Sequence, residues 1–280
     1  MHSLREQKVD TNGIQLNVAL CGQGEPLLLL HGWPHTWRLW SEMMPQLAAA
    51  GKYTLAPDLR GLGASTRATE GYDLITQTED LIGLLDALDI QQVLVVGIDL
   101  GAALAFMLAL RYPHRVRRLA VSEGFIGNLP GAEALTAGGP PWWFGFHNVP
   151  GLAESVIAGQ EEKYLDWFYQ NGTWQKRGIP AQIRAEFMAA YRGENALACG
   201  FRHYRAFAQN ASQLSAGLEN SQITVPALAV VGGVVKEAIY HQLVPVAPHL
   251  QRVDIPDCAH LLPLEQARAF SDALIAFDTE

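Results

Sequence analysis

Hydrophobic positions along the chain follow two rhythms. Residues 7–20 alternate apolar and polar on either side of Asn12-Gly13, the pattern of a tight two-stranded hairpin. Pro26-Leu-Leu-Leu-Leu30 is then continuously apolar, as a strand buried on both faces is. Val93–Val96 repeats that signal, and Tyr53–Ala56 and Arg118–Val121 read as further strands. Between these runs Leu81, Leu84, Leu85 and Leu88 recur at helical spacing and predict a helix over 76–88. Another helix is expected after Thr36 or Ser41, and a third from Ala102 to Tyr112. Strand and helix in alternation predict an α/β fold, a mostly parallel sheet with helices on both faces.

The alternation stops near Gly124. Residues 127–150 are rich in Pro and Gly around Pro141-Trp-Trp-Phe-Gly-Phe-His147, and the text from 151 to about 217 is helical throughout. Ile223–Val231 restores the strand signal, Gln251–Ile255 gives a last strand, and a helix over 264–277 closes the chain. The expected organisation is a core in two parts, 1–126 and 218–280, with a helical cap at 127–217 inserted between them.

Composition narrows the class. Hydrophobic residues make up 49%, enough for a large core, and the net charge of −8 is spread without long runs. That balance disfavours nucleic acid and anionic membrane as partners. The first residues lack the apolar stretch of a signal peptide, and no apolar run is long enough to span a bilayer. Cys21, Cys199 and Cys258 are far apart and form no metal or disulfide framework, which fits a reducing cytoplasm. No metal or cofactor is expected. The partners expected are a hydrophobic small molecule and water, with a homodimer left open.

Chemistry concentrates at strand ends. Val93–Ile98 runs into Asp99-Leu-Gly-Ala-Ala103, a strand, a turn of small residues and a helix. This is the shape of a nucleophile elbow with Asp99 at its tip. A carboxylate there can attack carbon and form an alkyl ester, which water must then hydrolyse. The plain alternative is an Asp capping the helix. His31, Asp58 and Glu123 also fall at carboxyl ends of strands, where active residues of such sheets gather.

Four motifs stand in order: His-Gly-Trp-Pro at 31–34, Asp-x-Arg-Gly-x-Gly-x-Ser at 58–65, Gly-x-Asp-x-Gly at 97–101, and Cys-x-His at 258–260. Together they resemble the α/β-hydrolase superfamily in its epoxide hydrolase and haloalkane dehalogenase branch, over essentially the whole chain. A looser similarity is to bacterial epoxide hydrolases that tailor aromatic polyketides. The resemblance implies an α/β-hydrolase fold with Asp99 as nucleophile and His260 as general base. It also implies that His31 ties loops together beside an oxyanion hole made by the N–H groups of Trp33 and Leu100. A cis bond at Pro34 would re-aim that turn. Many relatives carry the third triad member after the strand that follows the cap, but Val230-Val-Gly-Gly-Val-Val235 has no carboxylate. Glu123 ends the strand after the elbow helix, and a subset of the branch takes its acid there. The competing reading pairs Glu123 with Arg117 or Arg118.

In the cap, Tyr204 in Phe201-Arg-His-Tyr-Arg-Ala-Phe207 matches the tyrosine that holds the epoxide oxygen in that family. Register places its partner at Trp143, with Trp142 and His147 as alternatives. Trp142, Phe125, Phe144, Phe207 and Leu262 are expected to line an apolar pocket with Trp33 and Leu100. The expected activity is hydrolysis of an apolar, aromatic epoxide to a diol. A haloalkane dehalogenase would share the triad, but it commonly carries an indole after the nucleophile, where this chain has Leu100. A non-catalytic binder on the same fold is the remaining alternative.

Overall fold

The computed structural model describes residues 3–219 and 221–279. Among them eight strands form one sheet: β1 (Arg5–Thr11), β2 (Ile14–Gly22), β3 (Glu25–Leu30), β4 (Lys52–Pro57), β5 (Val93–Ile98), β6 (Val116–Ser122), β7 (Ala227–Val231) and β8 (Leu250–Asp254). Their order is β1-β2-β4-β3-β5-β6-β7-β8. β2 runs antiparallel to β1 and β4, and the remaining pairs are parallel. The hairpin turn takes the left-handed backbone at Asn12 and Gly13, with φ of 44° and 75°, which these two residue types tolerate best. Leu27–Leu30 and Val93–Val96 are buried to the last residue, as central parallel strands covered on both faces must be.

The helices before β6 are α1 (Met44–Ala49), α2 (Leu74–Ala87) and α3 (Leu100–Arg111). A one-turn 3-10 helix at Trp37–Trp40 is capped by Thr36. Between β6 and β7 the chain is helical: α4 (Glu133–Thr136), α5 (Trp142–Asn148), α6 (Leu152–Ile157), α7 (Glu161–Asn171), α8 (Ala181–Ala190), α9 (Glu194–Arg205) and α10 (Phe207–Leu218). The chain closes with α11 (Ala238–Leu243), α12 (Leu262–Glu265) and α13 (Ala267–Thr279). The helix expected over 264–277 is thus two helices, broken at Gln266. The strand expected over 223–231 pairs only from Ala227, because Pro226 has no N–H to donate and enters the sheet through its carbonyl alone.

Buried polar groups tie the helical segment to the sheet. Asp73 caps α2 by accepting from Thr76 N–H. The next two open N–H groups of that helix, at Leu74 and Ile75, donate to Asn210 and Gln213 of α10. From α7, Tyr169 donates to the Pro34 carbonyl at 2.9 Å, and Tyr191, just past α8, donates to the His35 carbonyl at 2.6 Å. The Gly172 carbonyl at the end of α7 accepts from His260 and Leu261 N–H at 2.9 and 3.1 Å. Two loops at the carboxyl edge of the sheet are thereby held from above.

Candidate active site

Asp99 sits between β5 and α3 with φ 57° and ψ −124°. A non-glycine residue in this region carries strain of about 1–3 kcal/mol. Its side chain makes no capping bond to α3, so a helix-capping role does not describe it. Oδ1 accepts from Trp33 N–H at 2.9 Å, and Oδ2 lies 3.3 Å from Nε2 of His260. The turn that delivers Trp33 N–H passes so close that a Cβ on Gly32 would lie 2.0 Å from Asp99 Oδ1. The Trp33–Pro34 peptide is cis. Leu100 N–H opens α3 beside the same carboxylate, and the first N–H groups of a helix have no partner within it.

His31 organises this turn. Its Nε2 accepts from Leu59 N–H at 3.2 Å, so the ring proton is on Nδ1, which donates to the Gly32 carbonyl at 2.7 Å. Burial lowers its pKa despite nearby Asp58, and the ring is held neutral. Asp58 accepts from Asn17, Trp37 N–H and Ala64 N–H and thereby ties the ends of β3 and β4 together.

His260 follows β8, and its Nδ1 lies 3.4 Å from Oε2 of Glu123. Glu123 is fully buried at the end of β6, with φ 43°. Its carboxylate also accepts from Val234 N–H at 3.3 Å and Val235 N–H at 2.9 Å. A Cβ on Gly232 would lie 2.7 Å from Glu123 Oε1. The loop after β7, which has no carboxylate before Glu237, therefore serves the acid with backbone donors. Arg117 and Arg118 face Asp278 instead. Burial pulls the His260 imidazole down, but its hydrogen bonds to the carboxylates of Asp99 and Glu123 outweigh it and raise the pKa to about 10. Burial pushes Asp99 up, and His260 with Trp33 N–H more than reverses that, leaving it below the usual carboxylate range.

The wall opposite Asp99 is aromatic. Trp33, 2% exposed, is its hub, with ring centroids 4.8 Å from His147, 5.0 Å from Phe168 and 5.7 Å from both Phe201 and Tyr204. Tyr204 is buried, and no described residue hydrogen-bonds its hydroxyl; burial and the Asp99 charge raise its pKa well above that of a free phenol. The tyrosine's ring lies 4.5 Å from His147 and 5.1 Å from Phe207, while Phe144 is 5.6 Å away. His147 stacks on Phe201 at 4.1 Å, and its Nε2 pairs with Tyr164 Oη at 2.6 Å. Burial lowers its pKa to about 3.

Trp143, placed by register as the partner of Tyr204, packs on Trp167 and Phe168 and makes no ring contact with Tyr204. His147, one helical turn on, does. Trp142 is half exposed and also faces Trp167. Leu262 is fully buried, and its Cδ1 would lie 2.5 Å from a Cβ on Gly232. Phe125 and Leu100 are partly buried against the core. His35 and Tyr164 entered the site without a sequence signal. Among the described residues no group of side chains could hold a metal ion, and no helix is long and apolar enough to cross a membrane.

A family model for the α/β hydrolase fold matches residues 25–267. The chain belongs to the α/β-hydrolase fold family. This α/β hydrolase is 31% identical to epoxide hydrolase 2 of Siraitia grosvenorii, over 86% of this chain and 84% of that one. It is also 31% identical to epoxide hydrolase A of Mycobacterium tuberculosis, over 81% of each. Among solved structures, Cfl2 of Burkholderia cenocepacia superposes with a TM-score of 0.90 at 30% identity, covering 98% of this chain and 95% of that one.

Proposed function

We propose that this α/β hydrolase opens an apolar, aromatic epoxide to a diol through an alkyl ester on Asp99. The observation that carries the reading is the division of labour between the two Asp99 oxygens. Oδ1 is held by Trp33 N–H in the turn, while Oδ2 points away from that donor, pairs with His260 and is the oxygen that attacks. The names of the relatives support an epoxide as the substrate class.

In the first step Oδ2 attacks an epoxide carbon, a C–O bond forms, and the ring C–O bond breaks. The alkoxide takes its proton from the phenol of Tyr204, with His147 as second polar group on the same oxygen. A neutral imidazole can play this part, and a buried phenol at this place has no protein partner to give up. Esterification removes the Asp99 charge that helps keep His260 protonated, so the His260 pKa falls and its proton can make good the one spent by Tyr204. Neutral His260, oriented by Glu123, then takes a proton from water as its oxygen attacks Asp99 Cγ. The tetrahedral oxyanion forms on Oδ1, between the N–H groups of Trp33 and Leu100. Collapse breaks the ester bond, and the leaving oxygen takes the His260 proton to complete the diol. The helical segment 127–217 acts as the cap, supplying Tyr204, His147 and the apolar wall.

The test separates the steps. His260→Gln should alkylate but not hydrolyse. Intact-protein mass spectrometry with styrene oxide should show a gain equal to the whole substrate, on the peptide carrying Asp99. A chloroalkane giving the adduct where epoxides give none would turn the assignment to halide displacement. No adduct with either class would leave a binder on this fold.

A further inference from the structure

His35 is a buried histidine the mechanism above does not use. It follows Pro34 in the turn that carries Trp33 N–H, and is 2% exposed. Its main chain is held at both ends: its N–H donates to the Gly32 carbonyl at 3.2 Å, and its carbonyl accepts from Tyr191. Its ring packs against Phe187 and Tyr169, with centroids 5.5 and 6.4 Å away. On the remaining side is His260, at 6.1 Å and an interplanar angle of 35°. Nδ1 of His35 is buried and hydrogen-bonds to no described residue.

A buried polar nitrogen without a partner is unfavourable, and such groups are usually met by ordered water. Two nitrogens bridged by one water lie about 4.6 Å apart, because two hydrogen bonds of about 2.8 Å meet at its near-tetrahedral angle. Two rings with centroids 6.1 Å apart leave room for that bridge. Burial lowers the His35 pKa to about 3, so its bare nitrogen remains an acceptor at any pH at which the enzyme folds and works.

We infer that His35 positions the hydrolytic water: one O–H of that water donates to His35 Nδ1, the other to His260 Nε2, and its lone pair is aimed at Asp99 Cγ. His35 takes no proton. Its part falls only in the second step, because alkylation of Asp99 involves no water. The inference rests on the Asp99 ester and gives it a second, separable prediction.

The experiment measures the two steps apart with styrene oxide, following the covalent adduct by rapid-quench intact mass. His35→Phe keeps a ring against Tyr169 and Phe187 and removes both nitrogens; His35→Leu is the second variant should the larger ring not fit. Alkylation should keep its wild-type rate, while decay of the adduct slows by roughly 10–100-fold, the effect of one lost transition-state hydrogen bond. The ester should therefore accumulate at steady state, with kcat and KM falling together. His35→Gln, whose amide oxygen can accept from water, should recover most of the decay rate. Wild-type decay in the Phe and Leu variants would overturn the inference while leaving the ester mechanism standing. So would equal slowing of both steps, the mark of a packing role. Absence of any adduct in these variants and in His260→Gln would overturn both.

Discussion

Oε2 of Glu123 lies 3.4 Å from Nδ1 of His260 and 2.9 Å from the N–H nitrogen of Val235. One carboxylate thus links the end of β6, the loop after β7 and the loop after β8. The N–H donors of Val234 and Val235 hold it pointed at the imidazole, which is what a tautomer-fixing acid needs. Glu237, the nearest carboxylate after β7, is exposed and pairs with Arg252.

Glu123→Gln should lower turnover on the order of 10²–10⁴-fold, since an amide cannot stabilise the imidazolium. Glu237→Gln should stay near wild type. Steady-state kinetics on both variants decides the matter, and a large loss at 237 with none at 123 would move the acid.

Tyr204→Phe removes a donor and keeps the ring. Alkylation should slow by roughly 10²–10⁴-fold, the span of general acid catalysis, while decay of a preformed ester hardly changes. His147→Leu should slow the same step by about tenfold, the loss of one hydrogen bond to the developing alkoxide. Trp143→Phe should not. Single-turnover rates rank the three; a Trp143 effect larger than that of His147 would restore the register assignment.

Gly32→Ala places a methyl group where Asp99 Oδ1 now lies. The carboxylate must swing out of the turn, and both steps should be lost together. Circular dichroism should still report a folded chain, because the three nearest clashes all fall on the side chain of Asp99. Near-normal activity in this variant would show that Trp33 N–H is not the oxyanion donor.

The charged His260 also makes stability depend on pH. Its pKa is raised from 6.5 to about 10 on folding, so the folded state binds the proton more tightly. The stabilisation is fully present below pH 6.5 and is lost as pH rises towards 10. Urea unfolding of wild type and His260→Gln should therefore show wild type losing stability relative to the variant across that window. A constant difference from pH 6 to 10 would mean that His260 is not held protonated by its two carboxylates.

Local pattern determined much of this protein. Continuous apolar runs marked β3 and β5, shorter apolar stretches marked β4 and β6, Asn12-Gly13 marked the hairpin, and the absence of strand signal marked the helices between β6 and β7. Those features depend on residues within a few positions of one another, where sterics and burial act directly. The order of Asp99, Glu123 and His260 along the chain was legible because the first two directly follow a strand and the third lies in the loop after the last one, and the carboxyl ends of a parallel sheet lie on one edge.

Only the tertiary structure decided who faces whom. That His147 rather than Trp143 meets Tyr204 is a matter of which face of α5 turns to α9. That Val234 and Val235 serve Glu123 depends on backbone donors, which leave no mark in side-chain identity. That Gly172, Tyr169 and Tyr191 clamp the loops of His260 and His35 joins positions more than eighty residues apart in the chain. Such contacts are set by how helices pack over the sheet, and packing sums many weak interactions that no short stretch of sequence contains.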